Sequence, residues 1–214
     1  TVGGTRYGCT GYTGTGSAPS GAGLSVTFTI TQDSTLTWNW ETEYYLTTAA
    51  DPVAGGEVVP ASGWYTSGTS VSVRANHYGG WVFSGWSGAI EGTVNPTSVT
   101  MSEPKSVTAG FLPIVALTIA SAHGSPDPVV GAHPCVSGTS VTASVVSPVA
   151  GPDGTRYVCT GYTGTGSAPS GAGLSVTFTI SQDSTLTWNW ATEYQLTTAA
   201  DPVAGGGVTP ASGW

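Results

Sequence analysis

Between residues 24 and 40 the chain alternates. Leu24, Val26, Phe28 and Ile30 are separated by Ser25, Thr27 and Thr29, and Leu36, Trp38 and Trp40 are separated by Thr37 and Asn39. A period of two places one set of side chains on one face of a strand. The turn-type residues Gln32, Asp33 and Ser34 stand between the two runs. The pattern predicts a β-hairpin with one buried face. Each buried aliphatic or aromatic side chain on that face is worth roughly 1.5–3 kcal/mol.

The same stretch recurs at 174–190. Residues 1–64 and 151–214 align at an offset of 150 without gaps, and differ only at positions 1, 2, 3, 8, 31, 41, 45, 57 and 59 of the first copy. Such closeness predicts a tandem array with a period of 150 residues. The chain is then read as a fragment, or part, of something longer that starts and stops in mid-repeat.

The period has two related halves. Residues 67–71 (SGTSV) match 137–141, 83–88 (FSGWSG) match 159–164 (CTGYTG), 98–100 match 175–177, and 107–111 match 186–190. The predicted organisation is therefore the C-terminal part of a B-type unit (1–43), a complete A-type unit (44–112), a complete B-type unit (113–193) and the N-terminal part of an A-type unit (194–214).

In the A-type unit strands are predicted at 45–49, 57–59, 70–75, 81–86, 97–101 and 106–112, and the B-type unit repeats that order from 115–120. Breaks such as Asp51-Pro52-Val53-Ala54-Gly55-Gly56 divide them. No window of ten residues carries a helical stripe free of Gly and Pro. The predicted class is all-β: small sandwich-like units in tandem, arranged end to end. The joints are short, at 42–44 and at Leu112-Pro113, which favours a semi-rigid string over a floppy one.

Composition narrows the function. Only 7% of residues are charged and the net charge is −8, which argues against nucleic acid and anionic membranes as partners, since both need basic patches. No run of about 18 apolar residues is present to span a membrane.

The A-type unit resembles the divergent internalin-type B-repeat of bacterial surface and secreted proteins. The residues that carry the likeness are Gly56-Glu57-Val58, Gly63-Trp64-Tyr65, residues 68–75 (GTSVSVRA), residues 81–88 (WVFSGWSG), Val99-Thr100-Met101 and residues 107–111 (VTAGF). The B-type unit matches less well, with Tyr162 in place of Trp86. The resemblance implies tandem modules in stalks, adhesins and extracellular fibres, with a β-grasp-like fold that includes a helix.

Three cysteines are present. Cys9 is the 150-residue counterpart of Cys159, and the counterpart of Cys135 would fall before residue 1. Cys135 and Cys159 are expected to form a disulfide, with the partner of Cys9 outside the sequence. The internal alignment sets Cys135 at Tyr65 and Cys159 at Phe83, as if an aromatic pair and a cystine served the same contact. Such a loop would contribute about 3 kcal/mol and imply an oxidising, extracytoplasmic compartment. The alternative is two buried free thiols.

No catalytic, cofactor or metal constellation is legible. His77, His123 and His133 read as exposed loop residues, and the sparse carboxylates (Asp33, Asp51, Asp127, Asp183, Asp201) sit in turns. The leading expectation is a non-enzymatic structural repeat of a long extracellular or cell-surface fibre or stalk, with neighbouring copies of itself as partners. The rival is a glycan-binding or adhesive module that stacks surface sugars on Trp64, Trp81 and Trp86.

Overall fold

The computed structural model describes residues 3–214. The chain divides into two compact units, Thr1–Leu112 and Pro113–Trp214. Among the described residues every regular element is a strand, apart from two short 3-10 turns. None of the described residues forms the helix of a β-grasp unit; the long stretch free of Gly and Pro, 24–51, alternates with period two over 24–30 and 36–40 and carries no helical stripe.

The first unit contains β1 (Thr5–Thr15), β2 (Thr35–Asp51), a 3-10 turn (Val53–Gly55), β3 (Gly56–Val59), β4 (Gly63–Thr66), β5 (Ser70–His77), β6 (Trp81–Gly88), β7 (Thr97–Thr100) and the start of β8 (Lys105–Ser121). One layer is built around β2. Its first part pairs antiparallel with β1, from Thr15↔Thr35 to Thr5↔Tyr44. Its later part pairs antiparallel with β4, and parallel with β8 from Leu46↔Lys105 to Asp51↔Gly110. Strand β6 also pairs with β8. The second layer is β3-β5-β7.

Alternation decides what lies between the layers. In β5, Val71, Val73 and Ala75 are buried while Ser70, Ser72 and Arg74 are exposed. In β8, Val107, Ala109 and Phe111 are buried beside them. Leu46, Trp86, Val99 and Met101 complete this core. The expected joint at 42–44 is not a linker: β2 runs straight through it, with Thr42, Glu43 and Tyr44 paired to β1.

The second unit contains the rest of β8, then β9 (Gly131–Val136), β10 (Ser140–Ser144), β11 (Val149–Ala150), β12 (Thr155–Thr165), β13 (Ser175–Thr179), β14 (Ser184–Tyr194) and a 3-10 turn (Val203–Gly205). The pairing follows the first unit. Strand β8 pairs antiparallel with β9 and parallel with β14, from Ser184↔Leu117 to Trp188↔Ser121. Strand β12 pairs with β14, and β10 with β13. The matched halves of the period thus occupy matching strands: β5 and β10, β6 and β12, β7 and β13. Leu117, Ile119, Ala143, Val145, Val176, Ile180, Leu186 and Trp188 form the core.

The predicted hairpin does not form. Residues 175–179 form a strand, but its partner is β10, not β14. Gln182-Asp183-Ser184 is a crossing from one layer to the other. Ser184 Oγ accepts the Ser167 N–H (2.8 Å) and donates to the Gln182 carbonyl (2.7 Å), and Asp183 Oδ1 accepts the Ala116 N–H (2.8 Å). In the first copy, residues 25–30 form no strand at all.

One glycine has a geometric reason. The β1–β2 register shifts between Cys9 and Gly11, where φ is +136° and a Cβ would strike the Gly21 carbonyl. Gly161 repeats this bulge in β12. The four basic residues, Arg6, Arg74, Lys105 and Arg156, all lie within strands.

Candidate functional site

The sequence singled out cysteines and tryptophans. Cys9, Cys135 and Cys159 are all free thiols, so the expected Cys135–Cys159 disulfide is not formed. The register explains why. Cys135 lies opposite Val115 in β8. Cys159 lies opposite Trp190 in β14, two residues beyond Trp188, which is level with Ser121. From Val115 to Ser121 alone is six residues, or about 20 Å along a strand, whereas a disulfide needs Cα atoms within about 7 Å. Each thiol instead contacts a carbonyl of its own strand, Cys135 that of His133 (3.6 Å) and Cys159 that of Gly161 (3.4 Å).

The three tryptophans have different surroundings. Trp86 is buried in the first unit's core, and its Nε1 donates to the Val94 carbonyl at 2.9 Å. Trp81 is half-buried and packs against the same core. Trp64, in β4, meets Tyr45 edge-on, and the Arg6 guanidinium lies 4.6 Å from its ring centre.

Residues 46–115 match the family model of the divergent InlB B-repeat domain. The match starts at Leu46, where β2 begins its parallel pairing with β8, and takes in Trp64, Trp81 and Trp86. No curated protein and no solved structure matches the chain. The B-repeat segment holds no converging set of three His, Cys, Asp or Glu, and neither do the other described residues. No helix among them is long and apolar enough to cross a membrane.

Two further features escaped the sequence reading. The first is a charged clamp beside the B-repeat segment. Arg6 of β1 donates to Glu43 of β2 at 2.7 Å while covering Trp64. The Glu43 carboxyl is held below the ordinary carboxylate value, chiefly by this hydrogen bond, and the same bond raises the Arg6 guanidinium. Arg156, Glu193 and Trp214 repeat the arrangement. The signal was present, because all three residues recur at the 150-residue offset.

The second is an open apolar groove. Cys9, Leu24, Trp38 and Trp40 line a cavity of about 310 Å³ on the β1–β2 ribbon. Trp40 is 62% exposed, and Tyr7 is also exposed. In the second unit Trp188 is buried and Trp190 and Tyr157 are half-buried. Trp190 Nε1 donates to Ser121 Oγ at 2.9 Å, and His123 stacks on Tyr157 with ring centres 3.5 Å apart. His123 does lie in a loop, after β8 ends at Ser121, but it is half-buried rather than exposed.

Proposed function

We infer that this chain is a non-enzymatic structural repeat of a bacterial extracellular or cell-surface array, serving as a fibre, stalk or spacer. The B-repeat match supports the surface setting, and the 150-residue repeat supports the array. The observation that carries the mechanical reading is the pairing of the first and last strands of each repeat. Strands β2 and β8 lie side by side and parallel in the first unit, as do β8 and β14 in the second.

Tension applied to the two ends of a unit pulls such a pair in opposite directions along its own axis. Six consecutive residue pairs, from Leu46↔Lys105 to Asp51↔Gly110, then carry the load together. A strand peeled from one end would break its hydrogen bonds one at a time. In shear they must yield as a set, and burial of Val107, Ala109 and Phe111 adds apolar contact that has to be lost in the same step. Neighbouring copies of the module are the partners, and repetition supplies length.

Single-molecule stretching of the chain tests this. Each unit should open in one step, releasing about 200 Å for the first unit as the residues from Leu46 to Gly110 become extended. Ala109→Pro removes an N–H of β8 that faces β2 and should lower the force of that step. Smooth unravelling without steps would overturn the mechanical reading.

A further inference from the structure

The chain holds two nearly identical segments in different states. Residues 5–43 and 155–193 differ only at Gly8/Val158, Thr31/Ser181 and Glu41/Ala191. None of the three lines the groove. Ile180 is completely buried and its counterpart Ile30 is 70% exposed. Ser175–Thr179 is a strand, while 25–29 is not.

Residues 113–150 account for the difference. Strand β10 pairs with β13 from Ser140↔Thr179 to Ser144↔Ser175. Beyond that ladder, Gly138 N–H donates to the Ile180 carbonyl (2.7 Å) and Val145 N–H to the Leu174 carbonyl (2.9 Å). The second half of β8 lies against β14 and brings Leu117 and Ile119 into the core. Ser121 and His123 then finish the Trp190 and Tyr157 contacts.

We propose that the groove on residues 5–43 is a docking site for a further copy of the segment 113–150. The occupant would add a strand against 25–29, bury Ile30, and place its equivalents of Ser121 and His123 against Trp40 and Tyr7. The warrant is internal: the same side chains on 155–193 receive this segment and no other. An intact second copy of the chain offers no free one, since its own 113–150 is seated on its own 155–193. The proposal does not depend on the mechanical reading above. It concerns which surface joins which segment, wherever the array is used.

Hydrogen exchange read by mass spectrometry tests it on the 214-residue chain, and on that chain extended ahead of Thr1 by a further copy of residues 113–150. Peptides that include Thr31 or Ser181 separate the twins by mass. In the unextended chain, amides of 26–30 should exchange at least about a hundredfold faster than those of 176–180, and in the extended chain the gap should close to about tenfold or less. An extension carrying Val141→Asp and Val145→Asp in the added copy should restore fast exchange. Residues 113–150 supplied as a free peptide should protect 26–30 without any change to the covalent chain. The proposal is overturned if 26–30 stay fast in both formats, or if the Asp-bearing extension protects them equally well. It is also overturned if 26–30 become protected in the unextended chain as its concentration rises, because the occupant would then be a second copy.

Discussion

Trp190 donates its indole N–H to Ser121 Oγ at 2.9 Å, joining β14 to the end of β8 across 69 residues of chain. The side chain of Trp190 is half-buried, and Ser121 is the acceptor that satisfies it. Ser121→Ala removes the acceptor and should destabilise the second unit by about 1 kcal/mol, the usual net value of such a bond. Urea denaturation followed through tryptophan emission checks this. Trp40, the counterpart in the open groove, should keep its emission unchanged.

Leu46 and Leu196 offer a sharper internal control. They are equivalent in the repeat, yet Leu46 is fully buried and Leu196 is 51% exposed. Leu46→Ala opens a cavity under β2 and should cost about 2–5 kcal/mol. Leu196→Ala should stay within about 0.5 kcal/mol of the parent. Denaturation midpoints of the two variants give the comparison, and equal losses would contradict the packing described here.

The clamp at Glu43 predicts a pH dependence with a defined sign. Its folded carboxyl sits below the ordinary value because Arg6 donates to the charged form. A depressed carboxylate contributes stability that is fully present above the unfolded-state value and is lost as pH falls through the folded one. Arg6 is exposed and Glu43 is half-buried, so the effect is small and screened by salt. Carbon-detected NMR titration should place Glu43 below a free glutamate at low ionic strength. Added salt, or the Arg6→Gln substitution, should bring it back up.

The thiols give a direct chemical check. Alkylation of the chain purified without reductant should label Cys9, Cys135 and Cys159. Exposure to a mild oxidant should yield no Cys135–Cys159 cross-link within a single folded chain. A peptide pair joined through those two residues would show that the β8, β9, β12 and β14 register is wrong.

How far the sequence speaks for the fold differs from strand to strand. The strands predicted at 70–75 and 106–112 are present, because period two is a local property, and Val71, Val73 and Ala75 and Val107, Ala109 and Phe111 form their buried faces. Partner choice is not local. The run at 174–180 carries the right face for a strand, but whether it pairs with 184–190 or with 140–144 depends on distant chain, and a three-residue polar break serves a hairpin or a layer crossing equally well. The cysteine reading failed for a related reason. Aligning Cys135 with Tyr65 and Cys159 with Phe83 showed equivalent positions, and equivalence is not contact: Phe83 meets Trp86 and Phe111. The groove was hidden because identical side chains are covered in one copy and bare in the other, a difference that no pattern within the segment can carry.

The placement of the four basic residues has a consequence for survival in a protease-rich setting. Trypsin-like enzymes cleave after Lys or Arg in chain that can be drawn out into an extended, accessible form, which loops offer and paired strands do not. Arg6, Arg74, Lys105 and Arg156 each lie inside a strand, so none of the many Gly- and Ser-rich loops presents a tryptic bond. Digestion must wait until a strand leaves its sheet, and the rate of tryptic cleavage becomes a clock for the opening of the fold.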